Sequence, residues 1–185
     1  MRKLIVGILA LFLSFNAMAE RPAPRVSNNK AYFALGASSV RGSVSGLGNV
    51  SPFNVYGRLG YNFTRYIGIG FEGGGTLLED EIQGFDASGN LVSVDFGINT
   101  LFGYLKLMAP IGDKSKIYAM VGPANTELKV SDGSSSIKLD DDDTAYGIGF
   151  ERDLDGYGFT IDYIKYYDDQ GVDVEGINIG LIGYF

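Results

Sequence analysis

Gly176-Ile177-Asn178-Ile179-Gly180-Leu181-Ile182-Gly183-Tyr184-Phe185 ends the chain, and its period decides the fold. Ile177, Ile179, Leu181 and Phe185 fall on one parity; Asn178, Gly180, Ile182 and Tyr184 fall on the other. Apolar residues at every second position mark a strand with two unlike faces, whereas a helix would repeat them at three and four. Glycines within the run strengthen the reading, because each costs a helix about 1 kcal/mol relative to alanine.

The same period recurs upstream. Ala31, Phe33, Leu35 and Ala37 alternate with Tyr32, Ala34, Gly36 and Ser38. Phe53, Val55, Gly57, Leu59 and Tyr61 alternate with Asn54, Tyr56, Arg58, Gly60 and Asn62. Ile67, Ile69 and Phe71 oppose Gly68, Gly70 and Glu72, and Ile117, Ala119 and Val121 oppose Tyr118, Met120 and Gly122. Tyr146, Ile148 and Phe150 oppose Gly147, Gly149 and Glu151, and Phe159, Ile161 and Tyr163 oppose Thr160 and Asp162. Between Leu91 and Ala109 the apolar parity switches from even (Val92 to Ile98) to odd (Leu101, Leu105, Leu107). A one-residue slip flips every side chain to the other face, so a β-bulge near Asn99-Thr100 is expected there. The total is eight strands with no helical segment between them, an all-β architecture.

The connections alternate in length. Tight links fall at Asn62–Arg65, Ile111–Lys114 and Asp153–Gly156; long polar loops are expected at Ser39–Val50, Leu78–Asn90 and Lys129–Asp143, with a shorter one at Tyr167–Asp173. Short turns at one end and long loops at the other suit an up-and-down transmembrane β-barrel. Alternation alone also fits a soluble lipocalin-like carrier with its apolar face inward. The second face argues for the membrane. It carries Gly36, Gly60, Gly68, Gly70, Gly74, Gly97, Gly147, Gly149 and Gly180, where a water-exposed face would carry many Lys, Glu and Thr. Small residues suit eight strands converging on a narrow interior.

Ahead of the strands, Arg2 and Lys3 precede the apolar run Leu4–Phe15 and the small-x-small tripeptide Ala17-Met18-Ala19. Residues 1–19 are therefore expected to be a secretory signal peptide, too short to span a bilayer. Residues 20–29 are expected to be a flexible leader, and 30–185 the barrel. Removing Arg2 and Lys3 deepens the formal charge from −7 to −9, since the segment holds those two bases and no acid. So acidic a chain lacks the positive footprint of a nucleic-acid binder. Cysteine, histidine and tryptophan are all absent, which excludes disulfides, zinc held by histidine and a Ser-His-Asp triad. No cofactor and no catalysis are expected.

Taken with the signal peptide and eight strands, the terminal segment Gly176–Phe185 resembles the closing strand of small OmpX/OmpA-like, porin-family outer-membrane barrels. The resemblance implies insertion among outer-membrane lipid and lipopolysaccharide. It also implies that Tyr184 and Phe185 form the assembly signal read by the barrel-assembly machinery. No motif assigns the chain to the adhesin branch of that family.

Within the expected barrel, Arg58, Glu72, Lys106, Glu151 and Asp162 lie on the small-residue face with mixed sign. Buried charge must be paired, so these five are read as a lumenal polar network; the alternative is that some lie at the rims in water. Tyr61, Phe63, Tyr66, Tyr157 and Tyr184 suit an interfacial girdle. Gly68-Ile-Gly70-Phe-Glu-Gly73 spells a dinucleotide fingerprint, but Gly74 and Gly75 follow where a helix must start. Asp140, Asp141, Asp142 and Asp143 form the densest charge. Ala145 stands where an EF-hand loop needs glycine. They are read as an acidic loop end, with divalent-cation contacts alongside Asp168, Asp169 or Asp173 as the alternative. Three functions remain in view: a non-catalytic structural or surface-interaction role through extracellular loops and an unknown partner, a small pore, and a soluble exported carrier.

Overall fold

The computed structural model describes residues 31–44, 48–85, 91–131, 136–169 and 172–185. The expected signal peptide and leader lie outside the described residues. Every described element is a strand: β1 (Ala31–Val44), β2 (Gly48–Val50), β3 (Phe53–Asn62), β4 (Ile67–Leu78), β5 (Asp80–Phe85), β6 (Leu91–Ile111), β7 (Ser115–Ser131), β8 (Ser136–Asp153), β9 (Tyr157–Asp169) and β10 (Val172–Tyr184). Eight form the wall in the antiparallel order β1-β3-β4-β6-β7-β8-β9-β10, and β10 returns to β1 from Tyr32–Tyr184 to Val44–Val172. Closure leaves the wall no edge. The short β2 pairs with the top of β1, and β5 carries the β4 side of the wall upward against β6.

The tight turns fall where expected. Gly112 and Gly156 adopt φ of 70° and 104°, with Asp155 at 70°, the left-handed values that such turns need. The long connections differ from expectation. Strand runs through most of them: β1 reaches Val44, β5 fills Asp80–Phe85, and β7 and β8 pair from Ser131–Ser136 downward. Ser, Gly and Asp have weak strand propensity, but propensity yields to pairing context, and here a long hairpin supplies the partner strand.

The expected bulge at Asn99-Thr100 is absent. The β6–β7 register is constant from Asp95–Ser131 to Ile111–Ser115. The irregularity sits on the facing strand: Gly74 pairs Thr100 and Asp80 pairs Phe96, so residues 75–79 oppose only 97–99. There the Thr76 hydroxyl accepts the Ile98 amide at 2.7 Å in place of a ladder bond. Even-numbered Ile98 therefore still points inward, joining Val40, Val50, Leu128 and Val174 in an apolar plug above the lumen. Gly97 lies on the outer parity, beside Thr76 and Glu79, rather than on the lumenal face. The parity switch in the sequence marks a change in the interior from polar to apolar, with no slip of the strand.

The outer face shows where lipid ends. In the lower wall it exposes Leu35, Leu59, Ile69, Leu105, Ile148, Ile161 and Leu181. Higher up it changes abruptly: β6 passes from Leu101 to Asn99, β7 from Val121 to Asn125 and Glu127, and β8 from Tyr146 to Asp142 and Asp140. These positions are neighbours in register. Below that level the outer face is apolar on every strand of the wall, as strands that cross a bilayer require. Above it, β5, β6, β7 and β8 continue as a four-stranded sheet standing clear of the membrane. An apolar exterior around a polar interior is the reverse of a soluble carrier.

Candidate functional site

Two constellations stand out: the lumenal charges and the projecting hairpin. Strand alternation aims Arg58, Glu72, Lys106, Glu151 and Asp162 at the axis, and all five are buried. Arg58, only 1% exposed, is the centre of the upper group. Its Nε donates to Glu72 Oε2 at 2.9 Å, a second bond runs from its Nη2 to the same oxygen, and Nη1 reaches Asp162 at 3.1 Å. The remaining acceptors are also taken. The Tyr166 hydroxyl donates to Glu72 at 2.7 Å, and Asp162 receives Tyr118 at 2.7 Å and the Asn178 amide at 3.0 Å. The Arg58 guanidinium also lies over the rings of Tyr56 and Tyr104, 5.2 and 5.8 Å from their centroids.

The lower group is centred on Glu151. Lys106 Nζ donates to its Oε2 at 2.6 Å, while Lys116 Nζ, at 2.5 Å, and the Tyr184 hydroxyl both meet its Oε1. The upper group has one base against two acids and the lower has two bases against one acid, so the charges balance only together. In a medium that penalises unpaired charge, this balance is what permits six ionised groups inside the barrel. Lys116 was legible but overlooked: it shares the parity of Tyr118 and sits opposite Glu151 in register. The neutral donors Tyr118, Tyr166 and Asn178 carried no charge signal and needed the closed barrel to meet their partners.

Tyr184 is corrected. Its even parity turns the ring inward to Glu151, so it does not belong to the girdle; Tyr61, Phe63, Tyr66 and Tyr157 do face outward near the short turns. Gly68 to Gly75 lies within β4, which leaves no helix terminus for a pyrophosphate.

Asp140, Asp141, Asp142 and Asp143 are corrected too: they lie in β8, paired with Glu127 to Ala124, and not in a loop. Asp140 and Asp142 both accept from the Asn125 amide, Asp141 from the Tyr167 hydroxyl at 2.6 Å, and Asp143 from the Asp168 backbone N–H at 3.0 Å. Among the described residues no three carboxylates converge as a metal site. Lys165 takes Asp168 and Asp173 at 2.8 Å each. The bond from Tyr167 holds the Asp141 carboxyl below its ordinary range and pushes the Tyr167 phenol up to about 12. Hydrogen bonds from Lys138 and Asn99 likewise lower Glu127.

Known proteins share this architecture. Ail, the attachment invasion locus protein of Yersinia pestis, superposes with a TM-score of 0.58 at 16% identity, covering 85% of this chain and 99% of Ail. Neisserial surface protein A gives 0.62 at 12% identity, covering 84% and 97%. AlkL gives 0.53 at 15% identity, covering 90% and 95%. No curated protein matches the sequence significantly. The family described as "Outer membrane protein beta-barrel domain" matches residues 7–185. With that match spanning the barrel, and with an apolar belt around a polar lumen, the chain belongs to the outer membrane protein β-barrel domain family and resides in the bacterial outer membrane.

Proposed function

We propose that the barrel is a rigid, non-catalytic anchor for contacts made at the cell surface by the sheet of β5 to β8. The carrying observation is the height of the β7–β8 hairpin, paired from Ser115–Arg152 to Ser131–Ser136, well past the point where the outer face turns polar. A scaffold that holds recognition elements clear of the membrane is the usual division of labour between framework and connections. The lumen supports this reading over a pore. Its charges are paired side chain to side chain, and Ile98, Val40, Val50 and Leu128 cap it from outside. Eight strands leave an interior filled by such side chains.

Ail has also been crystallised with the heparin analogue sucrose octasulfate. A polyanion does not suit the present hairpin, which displays Asp140 to Asp143. In the same reading, residues 1–19 direct export and residues 20–29 form a leader. Tyr184 and Phe185 engage the barrel-assembly machinery, and lipopolysaccharide surrounds the upper wall.

The test is replacement of residues 125–142 by a four-residue turn, followed by binding of intact cells to an array of immobilised proteins and polysaccharides. Binding by the complete protein that vanishes in the shortened one supports the reading. Equal binding by both removes it. A stable current in planar bilayers, abolished by Lys106→Ala or Glu72→Ala, would favour a pore instead.

A further inference from the structure

The apolar outer face is not equally tall all round the barrel. On β4 the lipid-side positions carry no polar side chain from Ile67 to Leu77, and on β6 none from Ile111 to Leu101, eleven residues each. On β8 the same face is apolar only at Phe150, Ile148 and Tyr146, five residues of strand bracketed by exposed Arg152 below and exposed Thr144 and Asp142 above. Its neighbours are short as well. β7 runs apolar from Ile117 to Pro123 before Asn125, and β9 from Tyr157 to Tyr163 before Lys165, seven residues each. The short strands β7, β8 and β9 are contiguous in the wall, as are the tall pair β4 and β6.

A strand that crosses a bilayer needs about 9–11 residues at a tilt near 45°. β4 and β6 meet that length. β8 falls short by about 4–6 residues, on the order of 10 Å of height at ~3.3 Å per residue. Tilting the whole barrel moves both ends of a strand the same way, so it cannot serve one that is polar at both. Aromatic placement agrees. Tyr146 and Tyr163 are 45% and 38% exposed, and the Tyr163 hydroxyl donates to Glu175 at 2.5 Å. Tyrosines with the ring in lipid and the hydroxyl among polar groups mark a membrane interface. Tyr146 stands seven residues above the end of β8 at Asp153, whereas the position seven residues above the end of β3 at Asn62 is Val55.

We infer that the barrel thins the membrane beside β7, β8 and β9, drawing headgroups in to Thr144 from above and Arg152 from below, so that this side takes short-chain lipid. A span shorter than the hydrocarbon is met by bilayer thinning and by flanking side chains that reach for the headgroups. Arg152 and Lys165 close the short side with such side chains, and Lys165 is drawn upward to Asp168 and Asp173.

The chain has no cysteine, so single cysteines carry a nitroxide without background. Labels at Thr144→Cys and Phe53→Cys stand nine residues above the ends of β8 and β3, and a third at Arg152→Cys reports the lower edge. The complete protein is placed in dioleoyl phosphatidylcholine vesicles, with folding checked by heat-dependent gel mobility. Collisions with oxygen, which collects in hydrocarbon, and with a water-soluble nickel chelate give each label's depth. Thr144 and Arg152 are both expected at headgroup level, with a loss of oxygen collisions relative to Phe53. Hydrocarbon depth at Arg152 with headgroup depth at Thr144 would mean a tilted barrel, and hydrocarbon depth at Thr144 a membrane of even thickness; either overturns the inference. Dipolar broadening at Thr144 would put a second copy on this side and overturn it too. In an equal mixture of dilauroyl and brominated dioleoyl lipid, a fluorophore at Ile148→Cys should be about half as strongly quenched as one at Phe71→Cys. Equal quenching removes the preference for short chains.

Discussion

The Tyr167 hydroxyl donates to Asp141 at 2.6 Å across the gap where β8 and β9 have stopped pairing. The bond needs an ionised carboxyl and a neutral phenol. Asp141 is lowered by it and Tyr167 is raised to about 12. A lowered carboxyl contributes above its ordinary range, and that contribution fades as pH falls through its lower, folded value. The Tyr167 ring resonances should therefore shift along with the Asp141 carboxyl, at a midpoint below that of aspartate in an unfolded chain. In Asp141→Asn the acid-side shift should be absent. Tyr167 signals unchanged from neutral pH to pH 2 would refute the bridge.

Arg58 answers two buried acids, Glu72 and Asp162. Arg58→Ala is expected to destabilise the barrel by about 3–5 kcal/mol, because it strands uncompensated charge. Replacing all three with apolar residues of similar volume should recover most of that loss. Urea unfolding in detergent micelles, followed by gel mobility, gives both values. A small effect of Arg58→Ala would mean that water reaches the group.

Gly149 faces the lumen between Tyr118 and Asp162; a Cβ there would lie 2.5 Å from Tyr118 Cζ and 2.6 Å from Asp162 Cβ. Gly149→Ala should cost about 1–3 kcal/mol by overpacking and should displace the Tyr118–Asp162 bond. The cost should shrink in a Tyr118→Leu background, where the ring is gone. A double-mutant cycle by chemical unfolding checks this, and additivity would contradict it.

The last two residues should separate by assay. The Tyr184 hydroxyl serves the buried Glu151, whereas the Phe185 ring is exposed and its backbone closes the seam with Ala31. Tyr184→Phe should lose about 1.5–3 kcal/mol of stability, the range for hydrogen bonds to charged groups, and insert normally in cells. Phe185→Ala should unfold like the parent once purified, yet accumulate less in the outer membrane. The reverse pattern would assign the assembly role to Tyr184.

Alternation between Ala31 and Phe185 by itself determined the strand count, the tight turns and the parity of Arg58, Glu72, Lys106, Glu151 and Asp162. The reason is local: a strand's side-chain period is two whatever surrounds it. The glycine-rich second face also told the lumen from the lipid side, because narrowness selects small residues at each position independently.

What only the tertiary structure decided depends on neighbours distant in sequence. Ile98 looked lipid-facing until the plug of Val40, Leu128 and Val174 showed an apolar interior above the bilayer. Asp140 to Asp143 read as loop until pairing with β7 made them strand. The division of lumenal charges into an Arg58 group and a Glu151 group, with Lys116 and Tyr184 in the second, follows from register and barrel closure. β8 and β9 stop pairing beyond Tyr146–Lys165, beside the residue of β9, Tyr166, that the pairing with β10 skips. Where two strands part depends on both of them, so the sequence of β8 alone holds no trace of it.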